Sequence, residues 1–426
     1  MPPHGAVLTQ EDSVTPLPDF PRNFGPRPRA PTAPPSALFR PPPRRLAGRL
    51  CRVLGPVSLA AAAASAAAAA SYSIHDLGTP GLWSRARDIN NLGQVVGEAQ
   101  FSPGDPGHAF LHSPGGVLQD LGTLGGPSSR ASAINERGQV SGLLRTGDDG
   151  GHRGFLYSPG AGLQALGSSD RPVKVTAEAL NNHGHVVGHL VGDTGSSAAF
   201  VYSGGLGSAL SGMSELPGLP GAQGVALRAI NDSGLIVGHA EVDNVTGRHA
   251  VVGTLAGGFR DLGSFGGRES SAVAVNQRGD VLVNVRDIDA NTYLRPYLYG
   301  SDGIARPVGP AHAYTLFGED LNARGQVVGY AQLQPGSTEG GGFLHTTEQG
   351  FNFLRDLLPP GSSWSELSAF AINDHGQIVG DGVMRDGGVR AFLMTPVPEP
   401  ASGWLLVAGI LLTVWRRQAD FARCKG

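Results

Sequence analysis

Residues Ser132–Gly142 read SAINERGQVSG, and Phe370–Gly380 read FAINDHGQIVG. The same phrase returns five more times: RDINNLGQVVG from Arg87, EALNNHGHVVG from Glu178, RAINDSGLIVG from Arg228, VAVNQRGDVLV from Val273 and EDLNARGQVVG from Glu319. Its asparagines are Asn90, Asn135, Asn181, Asn231, Asn276, Asn322 and Asn373, spaced 45, 46, 50, 45, 46 and 51 residues apart. A period of about 45 is that of propeller blades built from four strands. Within each phrase a short apolar segment enters, Asn-x-x-Gly turns the chain, and a β-branched run leaves. Asn suits the start of a type I turn because its side chain bonds the backbone two residues on. The glycines at the fourth position (Gly93, Gly138, Gly184, Gly234, Gly279, Gly325 and Gly376) accept the positive φ of a hairpin that ends in a G1 bulge.

A third strand follows each hairpin, as in GHAFLHS from Gly107 or VRAFLMT from Val389. Fourth strands are expected at LQDLG (Leu118), LQALG (Leu163), a degenerate MSELPG (Met213), FRDLG (Phe259), ARPVG (Ala305) and LRDLL (Leu354). The seventh copy, IHDLG from Ile74, precedes the first hairpin, and the last unit stops at Thr395 without one. The N-terminal strand can therefore complete the final blade, which is how a propeller ring hides its ends. The expected fold is all-β: a seven-bladed β-propeller over residues 71–396.

Composition agrees with many short strands and tight turns. Gly occurs 65 times in 426 residues, and only 16% of residues are charged. Cys51 and Cys424 lie outside the repeats, so the body holds neither a disulfide framework nor a cysteine metal site. Residues 71–396 carry 20 basic and 30 acidic side chains, a balance that argues against a nucleic-acid partner.

The two ends read as addresses. Residues 1–43 are Pro-rich and without apolar periodicity, a disordered leader that suggests a true start further downstream. Residues 44–70 pair the basic RRLAGRLCR with an apolar, alanine-rich run, the parts of a signal peptide cut after Ala70. Residues 397–426 open on Val397-Pro398-Glu399-Pro400, continue as an uncharged span at 401–415, and reach Arg416-Arg417. That span is a candidate transmembrane helix, short of the usual ~20 residues, with the arginines on the cytoplasmic side.

This tail resembles the PEP-CTERM sorting signal, and the units resemble the HAF family of bacterial extracellular repeats. The second resemblance rests on His108-Ala109-Phe110, on DLGTLGG at Asp120–Gly126 and on DLGSFGG at Asp261–Gly267. Together they imply export by a Gram-negative bacterium that makes exopolysaccharide, and processing by an exosortase from a membrane-anchored precursor. They imply location at the envelope or in the matrix and no particular reaction.

No nucleophile elbow, zincin, P-loop or dinucleotide motif is present. Three weaker constellations have bland readings. His183, His185 and His189 could hold zinc, yet each fills a slot taken elsewhere by an ordinary residue. Asp287, Asp289 and Asn291 suggest a calcium loop but lack its Gly and Glu. Asp76, Asp120, Asp261 and Asp356 share one slot, and repetition favours a recurring internal hydrogen bond over catalysis. No cofactor is expected. Preferred is a non-enzymatic binding or structural module for exopolysaccharide or surface proteins; the alternative is a carbohydrate-active lyase or hydrolase, kept open by the divergence of the fourth and fifth units at Glu215, Asp243 and Asp287, which supplies no mechanism and no catalytic residue. Replacing Pro398, Glu399 and Pro400 by alanine should trap an unprocessed membrane form on immunoblots of fractionated cells; normal processing would refute the sorting assignment.

Overall fold

The computed structural model describes residues 72–397, apart from 148–150, 168–173, 193–196, 205–211, 244–246, 288–292, 312 and 336–339. The expected leader and signal, and the tail with Pro398, Glu399, Pro400, span 401–415, Arg416 and Arg417, lie outside the described residues, as do Asp289 and Asn291. Among the described residues no helix is long and apolar enough to cross a membrane.

Seven four-stranded antiparallel sheets follow one another along the chain. Blades 1 to 6 span 84–122, 129–165, 174–215, 224–263, 269–307 and 315–353, each with its strands in sequence order. Blade 7 takes three strands from 364–396 and its fourth, outermost strand from Tyr72–Asp76. That strand pairs antiparallel with Val389–Pro396, Tyr72 opposite Pro396 and Asp76 opposite Phe392. The first strand of each blade touches the first strands of the blades before and after it, and blade 7 touches blade 1 in the same way. The ring is closed, with the first strands innermost.

Between the sheets the core is apolar. Phe110, Phe155, Phe200, Phe343 and Phe392 occupy one position on the third strands and are wholly buried. Phe110, for example, packs with Ala86 and Val95 of its own blade and with Ala371, Val379 and Ala391 of blade 7. Burying such a ring contributes about 2–3 kcal/mol, and this joins neighbouring blades without any covalent link.

Each Asn-x-x-Gly is the expected turn. The Gly93 N–H donates to the Asn90 carbonyl at 3.0 Å, the Asn90 N–H donates to the Gln94 carbonyl at 3.1 Å, and Gly93 has φ 75°. The side chain does more than a local turn requires. Its Oδ1 accepts the N–H groups of Leu92 and Gln94, while its Nδ2 donates across the blade boundary to the Asn135 carbonyl at 2.9 Å. The same cross-blade bond runs from Asn135 to Asn181, then to Asn231, Asn276, Asn322 and Asn373, and from Asn373 back to Asn90, all at 2.9–3.1 Å. All seven side chains are 2–4% exposed.

One fourth strand departs from expectation. In blade 6 it is Gly350–Phe353, and Leu354–Leu357, which holds Asp356, forms a 3-10 turn instead. The Asp-x-Gly that ends other fourth strands reads Asp356-Leu357-Leu358 here, so no glycine supplies the positive φ seen at Gly78, Gly122 and Gly263. The chain coils and buries Leu354 and Leu357 in the core instead. The degenerate Met213–Glu215 does form a strand and completes blade 3.

Asn135→Ala would leave the N–H groups of Arg137 and Gln139 and the carbonyl of Asn181 without their partner. The expected loss is about 3 kcal/mol or more in urea unfolding, whereas Leu92→Ala, on an exposed side chain, should stay within about 0.5 kcal/mol.

Candidate functional site

The innermost strands carry a β-bulge at the same place in every blade, three residues before the turn asparagine. In six blades the closing glycine of the phrase makes room for it, while in blade 5 Val283 stands at that place. A Cβ on Gly97 would collide with the Arg85 carbonyl oxygen, and Gly188, Gly238 and Gly380 meet the same obstacle from Thr176, Ala226 and Ser368. A bulge re-aims its residue, and here the copies disagree: Arg87, Ser132, Glu178, Arg228, Val273, Glu319 and Phe370. Adjacent members interact. The Arg87 guanidinium lies 4.8 Å from the centre of the Phe370 ring, and Arg228 stands 3.8 Å from Glu178.

Beyond this bulge ring, on the side away from the asparagines, a cavity of about 420 Å³ opens across blades 3 to 6. Bulge residues Glu178, Arg228, Val273 and Glu319 form its inner wall. Glu269 at the start of one strand and its register partner Arg286 near the end of the next face it from blade 5, joined by an ion pair of 3.2 Å. Arg248 and His239 come from blade 4, and Leu294 and Phe317 add apolar surface. Burial, reinforced by the charges of Arg248 and Arg228, holds His239 down at about 4. Its Nδ1 lies 3.2 Å from the Ser271 Oγ, but an imidazole so reluctant to take a proton is a poor general base for that hydroxyl. Burial pushes Glu319 up to about 7; Asp320 raises it further, while Arg87 and Arg228 oppose the rise.

At the other end, the turn asparagines surround an axial well of about 170 Å³. The residues that follow them form a second set of cross-blade bonds: the Asn91 N–H donates to Glu136, Glu136 to Asn182, Asn182 to Asp232 and Asp232 to Gln277. Ala323 donates to Asp374 and Asp374 to Asn91. Deeper still, Asp88 and Asp320 replace the alanine found at this position in the other five blades. Each carboxylate bridges blades, Asp88 accepting the N–H groups of Ile89 and Ile134, Asp320 those of Leu321 and Ile372, at 2.8–2.9 Å. Enclosure by protein pushes Asp88 up to about 8, aided by the charge of Asp320, and Asp320 itself up to about 6.

The residues singled out by sequence fall into place as follows. Asp120 accepts the Gly122 N–H and pairs with His108 at 2.8 Å; Asp261 does the same with Gly263 and His249; Asp76 accepts the Gly78 N–H and faces Arg390 at 3.4 Å. The glycine of each motif then clasps the next blade, since Ser84, Ser129 and Ser270 donate to the carbonyls of Gly78, Gly122 and Gly263. Asp356 takes no part in this pattern. The His183 and His185 rings stack at 6.0 Å, but His189, within the strand Val186–Val191, faces Glu178 at 4.0 Å. Among the described residues no three His, Cys, Asp or Glu are grouped to hold a metal. Glu215 is exposed on the outermost strand of blade 3, away from the cavity lining, and Asp243 and Asp287 end strands in blades 4 and 5.

Solved structures resemble this chain only distantly. TolB from Acinetobacter baumannii has a TM-score of 0.37 and 14% identity, with 57% of this chain and 60% of TolB covered. Dipeptidyl peptidase 4 from Porphyromonas gingivalis has 0.40 and 8%, covering 71% of this chain and 50% of that one. A subtype N11 neuraminidase-like protein of A/flat-faced bat/Peru/033/2010 has 0.39 and 12%, covering 77% and 95%. The chain thus spans 60% of TolB and half of the peptidase. At such distance these likenesses bear on no reaction. No family model and no curated protein matches the chain.

Asp88 and Asp320 generate a pH prediction. Both are held above the ordinary carboxylate value of 3.8. The folded protein therefore binds protons that the unfolded chain has released, and their contribution is fully present below about pH 4 and lost as pH rises through 6 to 8. The double variant Asp88→Ala, Asp320→Ala should flatten the fall in Tm between pH 4.5 and 8.5, followed by calorimetry; an unchanged slope would refute this assignment.

Proposed function

We propose that this is an exported surface or matrix protein whose propeller is a non-enzymatic binding module, with the 420 Å³ cavity as its ligand site. The cavity carries the reading, because it lies where the seven otherwise matching units differ. Arginine and glutamate side chains half-paired around a partly apolar hollow make a surface of directed donors and acceptors. Glu269 is paired with Arg286, Glu178 faces Arg228 at 3.8 Å, and His239 resists protonation. This set suits holding a hydroxyl-rich ligand better than splitting one, and exopolysaccharide or a surface protein is the proposed partner.

Chain topology adds an orientation. Tyr72 and Pro396 sit beside Gly376, in the asparagine turn of blade 7. The propeller thus begins and ends on the asparagine face, opposite the cavity. A tail anchored before exosortase processing would turn that face to the membrane and present the cavity outward.

One observation favours the second reading, a carbohydrate-active enzyme. Glu319, pushed up to about 7 inside the cavity, has the acidity of a general acid at neutral pH. Incubating the purified exported chain with the producing strain's exopolysaccharide, and scoring retention and chain length together, separates the two. Binding with unchanged chain length is expected; depolymerisation abolished by Glu319→Gln would establish the enzyme instead.

A further inference from the structure

The charge pattern inside the cavity narrows the ligand. The body of the protein is acidic, with 20 basic against 30 acidic residues over 71–396, yet three guanidiniums, Arg228, Arg248 and Arg286, line this one hollow. Their side chains are 47%, 55% and 44% exposed, so they remain open to a ligand. Arg228 and Arg248 reach their nearest carboxylates, Glu178 and Glu241, only at 3.8 and 3.9 Å. That is beyond hydrogen-bond length, so neither carboxylate consumes their donors among the described residues. Burial, and then the charges of both arginines, discourage protonation of His239, which lines the same cavity.

From this geometry we infer that the cavity recognises an acidic sugar, its carboxylate or sulfate held between Arg228 and Arg248 and its hydroxyls bonded to Glu178, Glu269 and Ser271. The inference rests on the binding-module reading and specifies its ligand. Planar guanidiniums match a carboxylate or sulfate edge with two parallel hydrogen bonds. The glutamates favour an acidic sugar over an acidic peptide, because a sugar ring carries hydroxyl donors around its whole edge, whereas an Asp- or Glu-rich peptide offers only its backbone N–H groups. Phe317 and Leu294 offer the apolar surface against which a pyranose ring lays its C–H face.

Isothermal titration of the full exported chain with trigalacturonate, its trimethyl ester and a sulfated trisaccharide tests this. Trigalacturonate, the sulfated sugar or both should bind about tenfold or more tighter than the ester. Arg228→Gln and Arg248→Gln should each remove that advantage, while Arg355→Gln, on blade 6 outside the cavity, should not. Melting curves of each variant separate lost binding from lost fold. Equal binding of acid and ester would overturn the charge requirement and leave the binding-module reading standing. Full binding by the Arg228 and Arg248 variants would overturn the site, and silence from both acidic probes would overturn the inference as a whole. Shortening of trigalacturonate during the titration would overturn the non-enzymatic reading while upholding the acidic ligand.

Discussion

The structure depends on one hydrogen bond made seven times, from the amide Nδ2 of a turn asparagine to the carbonyl of the corresponding asparagine in the next blade. A blade by itself is a small, twisted sheet with two apolar faces, and nothing in its own turn says where a neighbour should sit. The asparagine supplies that information. Its oxygen satisfies two N–H groups of its own hairpin, so the side chain is fixed before its nitrogen reaches out. Because the donor and the acceptor are both buried, a gap in the cycle would leave unpaired groups worth about 1–3 kcal/mol apiece. No residue of similar size combines an oxygen that accepts twice with an N–H that donates outward at this bend. The clasps from Ser84, Ser129 and Ser270 reinforce three of the same boundaries at the opposite end of the first strands.

With blade position fixed at the turns, neighbouring positions are released from structural duty. The innermost strand bulges beside the closing glycine in six blades and beside Val283 in blade 5, and the bulge turns one side chain per blade out of the repeating pattern. Those seven side chains range from arginine to phenylalanine without disturbing the asparagine cycle next to them. Charge, acidity and shape in the cavity come from this freedom. A rigid, redundant frame and a variable lining are two outcomes of one eleven-residue phrase.

Much of the frame was legible in sequence. Period, turn chemistry, four strands per unit and closure by Tyr72–Asp76 all follow from local patterns, because hairpin turns and alternating strands leave signatures at fixed short spacings. The cross-blade role of asparagine was not legible: turn formation alone accounts for Asn-x-x-Gly, and the partner carbonyl lies 45 to 51 residues away, or 283 where the ring closes. Blade 6 misled because LRDLL resembles the other fourth strands until the missing glycine is weighed. The cavity was foreshadowed in the divergence of units four and five, but Glu215, Asp243 and Asp287 stood out as additions between repeats. Glu178, Arg228 and Glu319 were hidden inside the repeated phrase itself, where a substitution reads as noise until the bulge shows which way it points.

The asparagine bonds all run in one direction, each blade giving once ahead and receiving once from behind. A blade therefore carries matching male and female edges, whatever lies in its lining or its loops. Any unit can follow any other, and a copied unit would find its contacts ready on both sides. Growth by tandem duplication needs no new interface, only a circumference that still closes, and the units can then drift apart one bulge residue at a time.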